Sequence, residues 1–145
     1  MIIVNFKNYL SGKEAVERAA LVAKYLSRAI VCASAGDVEE ISRKTKLKVF
    51  AQHVDFVSDK KSTGFFSAGA LKRDGGSGSL LNHSEHRLKF SVIRKTIEQM
   101  RKEKLEVVLC AKDLVEARKF VALKPDAIAL EDKKLIGSGK SITKY

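Results

Sequence analysis

Apolar and β-branched residues gather in six short runs, at 2–5, 30–33, 48–52, 78–82, 106–111 and 127–131. Each run is nearly continuous rather than alternating, the pattern of strands covered on both faces. Between the runs the spacing lengthens to that of a helix. Ala15, Ala19, Val22 and Leu26 recur at three- and four-residue intervals, as do Ile93, Ile97 and Met100, and Leu114, Ala117, Phe120 and Val121. Shorter helices are expected after the second and third strands, the latter over 68–74. Three helix starts carry the pattern in which a Ser or Asp cap is answered by a Glu three residues on: Ser11 with Glu14, Asp37 with Glu40, and Asp113 with Glu116.

Strands alternating with helices predict an α/β fold, a parallel sheet with right-handed crossovers, in one domain over 1–145. Periodicity leaves two architectures open, a doubly wound sheet and a (β/α)8 barrel. No GxGxxG follows the first strand, which weakens the dinucleotide-binding form of the doubly wound sheet. The polar residues Asn5 and Lys7, Gln52 and His53, Asn82 and His83, and Glu131 sit at the C-terminal ends of the strands. In both architectures ligands bind on that face.

Composition narrows the function classes. Apolar residues make up 45% of the 145, enough for a core, and no stretch approaches the roughly 20 apolar residues of a membrane span. The N-terminus lacks a signal-peptide pattern, so a cytoplasmic protein without a membrane partner is expected. The net charge of +11 raises a nucleic-acid reading. Lys89, Arg94, Lys95, Arg101, Lys102 and Lys104, however, read as the wet side of one helix, and no nucleic-acid partner is expected. A basic protein still attracts an anionic substrate. Cys32 and Cys110 lie in apolar runs far apart and read as reduced, buried residues.

Four places could carry chemistry. Lys7, turned into a strand-end cleft, is a fixed cation for an anion. His83 follows the fourth strand and is expected to open a helix, whose dipole favours the neutral imidazole, a hydrogen-bond donor to a carbonyl. His83, Glu85 and His86 have zinc-ligand chemistry but lack a nearby fourth ligand, so no metal is expected. Glu131 closes the sixth apolar run, where a desolvated carboxylate serves as a base. The run Leu135-Ile136-Gly137-Ser138-Gly139-Lys140-Ser141 reads as an anion-binding loop, although Lys134 stands where a P-loop needs Gly.

Together these segments resemble the triosephosphate isomerase family, in its compact archaeal form. The matching pieces are Val4-Asn5-Phe6-Lys7, Phe50-Ala51-Gln52-His53-Val54-Asp55, Thr63-Gly64, Leu80-Leu81-Asn82-His83-Ser84-Glu85-His86-Arg87, Ile128-Ala129-Leu130-Glu131 and Leu135-Ile136-Gly137-Ser138-Gly139, in family order. The resemblance implies a TIM (β/α)8 barrel, here incomplete, with about six parallel strands and outer helices. It also implies a cofactor-free isomerase acting on a small phosphorylated triose. On motif match Glu131 is the base, His83 the electrophile, Lys7 the cation and Asn5 a hydrogen-bond partner of the substrate. Asn5, Lys7 and Gly137 face the phosphate or substrate oxygens, and Glu85 supports the Lys–His pair. Thr63 and Gly64, with Gln52 and His53, are expected at a contact between subunits of a homo-oligomer. Asp132 stands where the family has a lid-hinge Pro. The alternative is a barrel fragment that binds phosphate or a partner chain with little or no turnover.

Overall fold

In the computed structural model, which describes residues 1–59 and 61–131, six strands form one parallel sheet. They are β1 (Ile3–Asn5), β2 (Ile30–Ala33), β3 (Lys48–Ala51), β4 (Gly78–Leu81), β5 (Glu106–Ala111) and β6 (Ala127–Leu130). The strand order is β1-β2-β3-β4-β5-β6, the same in space as in sequence. That order decides between the two architectures. A doubly wound sheet reverses direction once and places helices on both faces. A sheet that never reverses puts every right-handed crossover on one side and curls toward a barrel.

The crossovers carry α1 (Gly12–Tyr25), a 3₁₀ turn (Ala35–Asp37) running into α2 (Val38–Lys44), α3 (Ala68–Arg73), α4 (Phe90–Lys102) and α5 (Leu114–Val121). On α4, Ile93, Thr96, Ile97 and Met100 are buried, a stripe spaced three, one and three apart, and Arg101 and Lys102 sit in the last turn, where a cation suits the dipole. Burial of Ile93, Ile97 and Met100 stabilises by roughly 2 kcal/mol each. On α5 the expected stripe is narrower. Phe120 is buried and Ala117 packs on the core, but Leu114 and Val121 are exposed.

The sheet has two apolar faces. Val31, Ala33, Val49, Ala51, Leu81, Val107, Leu109 and Ala111 pack outward against the helices. Ile30, Cys32, Phe50, Leu80 and Val108, joined by Ile3, Ala127 and Ala129, fill the concave side. Strand residues alternate between the two, as a period of two requires. Gly78 belongs to the concave side, and a Cβ there would lie 2.4 Å from the Glu106 carbonyl oxygen and 2.6 Å from the Phe50 ring. Glycine is what lets that ring lie across β4. Lys48 and Glu106 then pair at 2.5 Å near the strands' N-terminal ends.

Of the three predicted capping patterns one forms. Asp113 Oδ1 accepts from the Glu116 amide at 2.7 Å, while the Glu116 carboxylate reaches back to Lys112 N at 2.7 Å rather than to Asp113. Ser11 makes no side-chain cap bond. Asp37 is drawn elsewhere: it accepts from Gly12 N at 2.8 Å and from the Ser34 hydroxyl at 2.6 Å, tying the start of α1 to the 3₁₀ turn.

Candidate functional site

Because side chains alternate along a strand, Asn5, Gln52 and Glu131 share parity with the residues of the concave side, Ile3, Phe50 and Ala129. Each lies at or just past the C-terminal end of its strand. Here the apolar lining gives way to polar groups around a cleft of about 280 Å³ lined by Asn5, Lys7, Asn8, Gln52, His53, His83, Glu85 and His86. A larger groove of about 650 Å³ lies outside, along α4 and α5, walled by Leu88, Phe90, Val115 and Phe120. Lys112, Asp113, Glu116 and Lys119 also line it, but the strand-end residues Asn5, Lys7, Gln52 and His83 gather in the smaller cleft.

Lys7 follows β1 in a left-handed conformation, φ +48°. Two contacts hold it there. Its amide donates to Asn5 Oδ1 at 2.9 Å, and its carbonyl accepts from Gln52 Nε2 at 2.8 Å. Backbone held in this way turns the side chain across the cleft, where Nζ meets Glu85 Oε1 at 2.9 Å. The hydrogen bond from the ammonium holds the Glu85 carboxyl below its ordinary range. Gln52, expected at a subunit contact, thus uses its amide within the chain to support Lys7.

His83 does not open a helix; α4 begins only at Phe90. The chain makes a turn instead, closed by the His86 amide donating to the His83 carbonyl at 2.8 Å. Asn82 sets that turn up. It is buried, has φ +61°, donates through Nδ2 to the Cys110 carbonyl at 2.9 Å and accepts at Oδ1 from Leu88 N at 2.9 Å. Arg87 Nη1 reaches the carbonyls of Asn82 and Cys110 and the Glu116 carboxylate at 3.0–3.3 Å, fastening the turn to β5 and α5. The helix dipole invoked for His83 is therefore replaced by one amide. Glu85 N donates to His83 Nδ1 at 3.2 Å. The Glu85 carboxylate is farther from Nδ1, at 3.4 Å, and is engaged by Lys7. A ring nitrogen that accepts an N–H carries no proton, so the neutral ring has its proton on Nε2.

That proton points at Glu131. His83 Nε2 and Glu131 Oε1 are 2.9 Å apart, with side-chain exposures of 16% and 11%. The second carboxylate oxygen, Oε2, accepts from Ser84 N at 2.8 Å, and Glu131 N donates to the Ala111 carbonyl at 2.8 Å. Residues that follow β1, β4 and β6 are thereby brought into one line, from Lys7 through Glu85 and His83 to Glu131. Cys110 and Cys32 lie beneath this cleft, buried, and burial pushes both thiols up to about 12.

The structure brings Asn5, Lys7, His83, Glu85 and Glu131 together. Thr63 and Gly64 lie apart from them in an exposed loop, and Gly137 and Asp132 fall outside the described residues. Among the described residues no group of three or more His, Cys, Asp or Glu side chains could hold a metal ion. No described helix is long and apolar enough to cross a membrane. Sequence reasoning missed the parts played by Asn82 and Arg87. Their signal was present: a polar residue ending an apolar strand, and an arginine between a turn and a helix.

Comparison with known proteins bears on this arrangement. The family model described as triosephosphate isomerase matches residues 1–145. A triosephosphate isomerase of Archaeoglobus fulgidus is 36% identical over 150 residues, covering 99% of this chain and 67% of that protein. One of Thermoplasma volcanium is 38% identical over 145 residues, covering 98% of this chain and 68% of that protein. The crystal structure of triosephosphate isomerase from Bartonella henselae superposes with a TM-score of 0.70 at 21% identity, covering 91% of this chain and 61% of that one. It shares the fold. The chain spans about two thirds of the length of the relatives it matches.

Proposed function

The chain belongs to the triosephosphate isomerase family, and from that membership we propose that it interconverts dihydroxyacetone phosphate and D-glyceraldehyde 3-phosphate by proton transfer. The observation that carries the reading is the 2.9 Å contact between His83 Nε2 and Glu131 Oε1 at the mouth of the barrel. It sets a carboxylate base beside a neutral N–H donor, with the Lys7 ammonium on the same cleft.

Substrate entering the cleft takes the place of that contact. Glu131, released from His83 and Ser84, removes a proton from C1 of the ketose. The C–H electron pair forms the C1–C2 double bond, and the carbonyl π pair moves onto the C2 oxygen. The resulting enediolate receives a hydrogen bond from His83 Nε2–H and the field of Lys7 Nζ. His83 moves a proton from the C1 hydroxyl to the C2 oxygen. Glu131 returns its proton to C2, leaving the aldehyde at C1. No cofactor is needed, because the same proton and electron pair are only relocated. Asn5, whose Oδ1 is committed to Lys7 N, offers Nδ2–H to a substrate oxygen. Glu85 holds Lys7 between the phosphate and the reacting carbons, and Gly137 supplies a backbone N–H to the phosphate.

We assign the protein to the cytoplasm, as one homo-oligomeric domain contacting its copy through Thr63 and Gly64. The family match favours turnover over a binding-only fragment. Glu131→Gln tests the mechanism. It removes the base but keeps an acceptor for Ser84 N, and should lower kcat by about a thousandfold or more, roughly 4 kcal/mol of transition-state stabilisation. Incorporation of solvent deuterium at C1 should fall in parallel. A loss under about tenfold overturns the assignment.

A further inference from the structure

Glu131 and Lys7 are held by strands, but His83 rides on a four-residue turn, and something must fix that turn. The His83–His86 turn is closed by one backbone bond, with Ser84 N and Glu85 N directed at Glu131 and at His83 itself. Its fourth residue, His86, lays its ring on that of His53, with centroids 4.1 Å apart and planes 18° from parallel. His53 is anchored in turn. Its Nε2 lies 3.2 Å from Asp55 Oδ1, and Asp55 Oδ2 accepts from Phe66 N at 2.9 Å. Asp55 N donates to the Phe66 carbonyl at 2.9 Å, and Asp55 pairs with Ser67 in an isolated bridge. A continuous path therefore runs from the start of α3, through Asp55 and His53, to the turn that carries His83.

We infer that His53 and His86 are positioning residues, a stacked brace that holds the His83 turn in register with Glu131 and releases it when the pair takes up protons. The inference rests on the isomerase reading for its kinetic consequence, not for the brace itself. The stack joins the segment after β3 to the turn after β4. Two flat neutral rings stack favourably, whereas two imidazoliums at this separation repel. Asp55 faces His53 and partly offsets the first proton. Lys7, Glu85 and His83 are the other charged or titratable groups lining the same cleft. Burial and the neighbouring His86 outweigh Asp55, and His53 is held below its ordinary pKa of 6.5. His86 is solvent-exposed, so protons reach the stack without unfolding.

The chain has three histidines, which makes the test clean. Ring resonances of isotope-labelled histidine in the whole chain, followed from pH 8 to 5, should show His53 titrating below the ordinary histidine range, with the ring signals of its stacked neighbour His86 responding to that step. The His83 signals should inflect at the same midpoint. In His86→Phe, which keeps a flat ring and removes the second charge, His53 should titrate at higher pH and the matching His83 inflection should disappear. Kinetically, His86→Ala should lower kcat by about tenfold with KM within twofold, since a misplaced donor costs rate more than binding. His86→Phe should recover most of the loss and remove the acid limb of the kcat profile. If wild type turns substrate over while His86→Ala keeps full kcat and an unmoved pH profile, the brace is overturned and the isomerase reading stands. If wild type does not turn over, the isomerase reading fails, and the histidine spectra alone judge the brace. His83 signals indifferent to the titration of His53 then overturn it.

Discussion

Replacing Asn82 by Ala is the most informative single perturbation of the scaffold under the site. Asn82 is buried at 2% exposure and supplies a donor to Cys110 O and an acceptor to Leu88 N, each at 2.9 Å. In Asn82→Ala the Leu88 amide loses its acceptor in a half-buried place, at about 1–2 kcal/mol. The Cys110 carbonyl keeps Arg87 Nη1 at 3.3 Å, so its loss is smaller, about 0.5–1 kcal/mol. Alanine also tolerates φ +61° less well than asparagine, at about 1 kcal/mol. The sum is about 3 kcal/mol, a large part of a small domain's stability. Urea unfolding followed by circular dichroism measures it, as a lowered midpoint at constant slope. Asn82→Asp keeps an acceptor for Leu88 N but sets a carboxylate against the Cys110 carbonyl, so it should not restore stability. A loss below 1 kcal/mol in Asn82→Ala would refute the account of how β4 is joined to the catalytic turn.

Four further outcomes follow from particular contacts. Gly78→Ala should cost more than about 3 kcal/mol in the same unfolding assay, because its Cβ meets a backbone oxygen at 2.4 Å as well as the Phe50 ring. Asp113→Ala should lower stability by about 1 kcal/mol and Ser11→Ala by under about 0.5, since only Asp113 makes a cap bond. Cys32 and Cys110, pushed up to about 12 and buried, should resist a thiol reagent at pH 8 in the native chain, and both should react once guanidinium unfolds it. His53, held below 6.5 in the folded chain, binds its proton more readily when unfolded. Its contribution is therefore fully present above pH 6.5 and fades as pH falls toward the folded value. Midpoints in urea should drop between pH 7 and 5, and less so in His53→Phe.

Six nearly continuous apolar runs separated by helical spacing were enough to place every strand to within a residue or so, because burial on both faces leaves few polar positions inside a strand; Ser79 in β4 is one, its hydroxyl satisfied by backbone carbonyls. The residues of the cleft were legible for the same reason: a polar side chain ending such a run, as in Asn5, Gln52 and Glu131, has only the strand-end face to occupy. The six matching segments added which of those residues belong to one kind of site. What remained open was whatever depends on contact between elements distant in the chain. Whether the sheet reverses direction is a matter of strand order, which periodicity does not encode. Ser11, Asp37 and Asp113 carry the same capping signature, yet Asp37 is captured by Gly12, 25 residues away, and only Asp113 caps. The region after β4 reads as a helix start, but Asn82 and Arg87 bind the Cys110 carbonyl across 28 and 23 residues and pull the chain into a turn. Local spacing reports how deeply a residue is buried. Which distant donor or acceptor wins a polar side chain is decided only when tertiary packing brings the competitors within 3 Å or so.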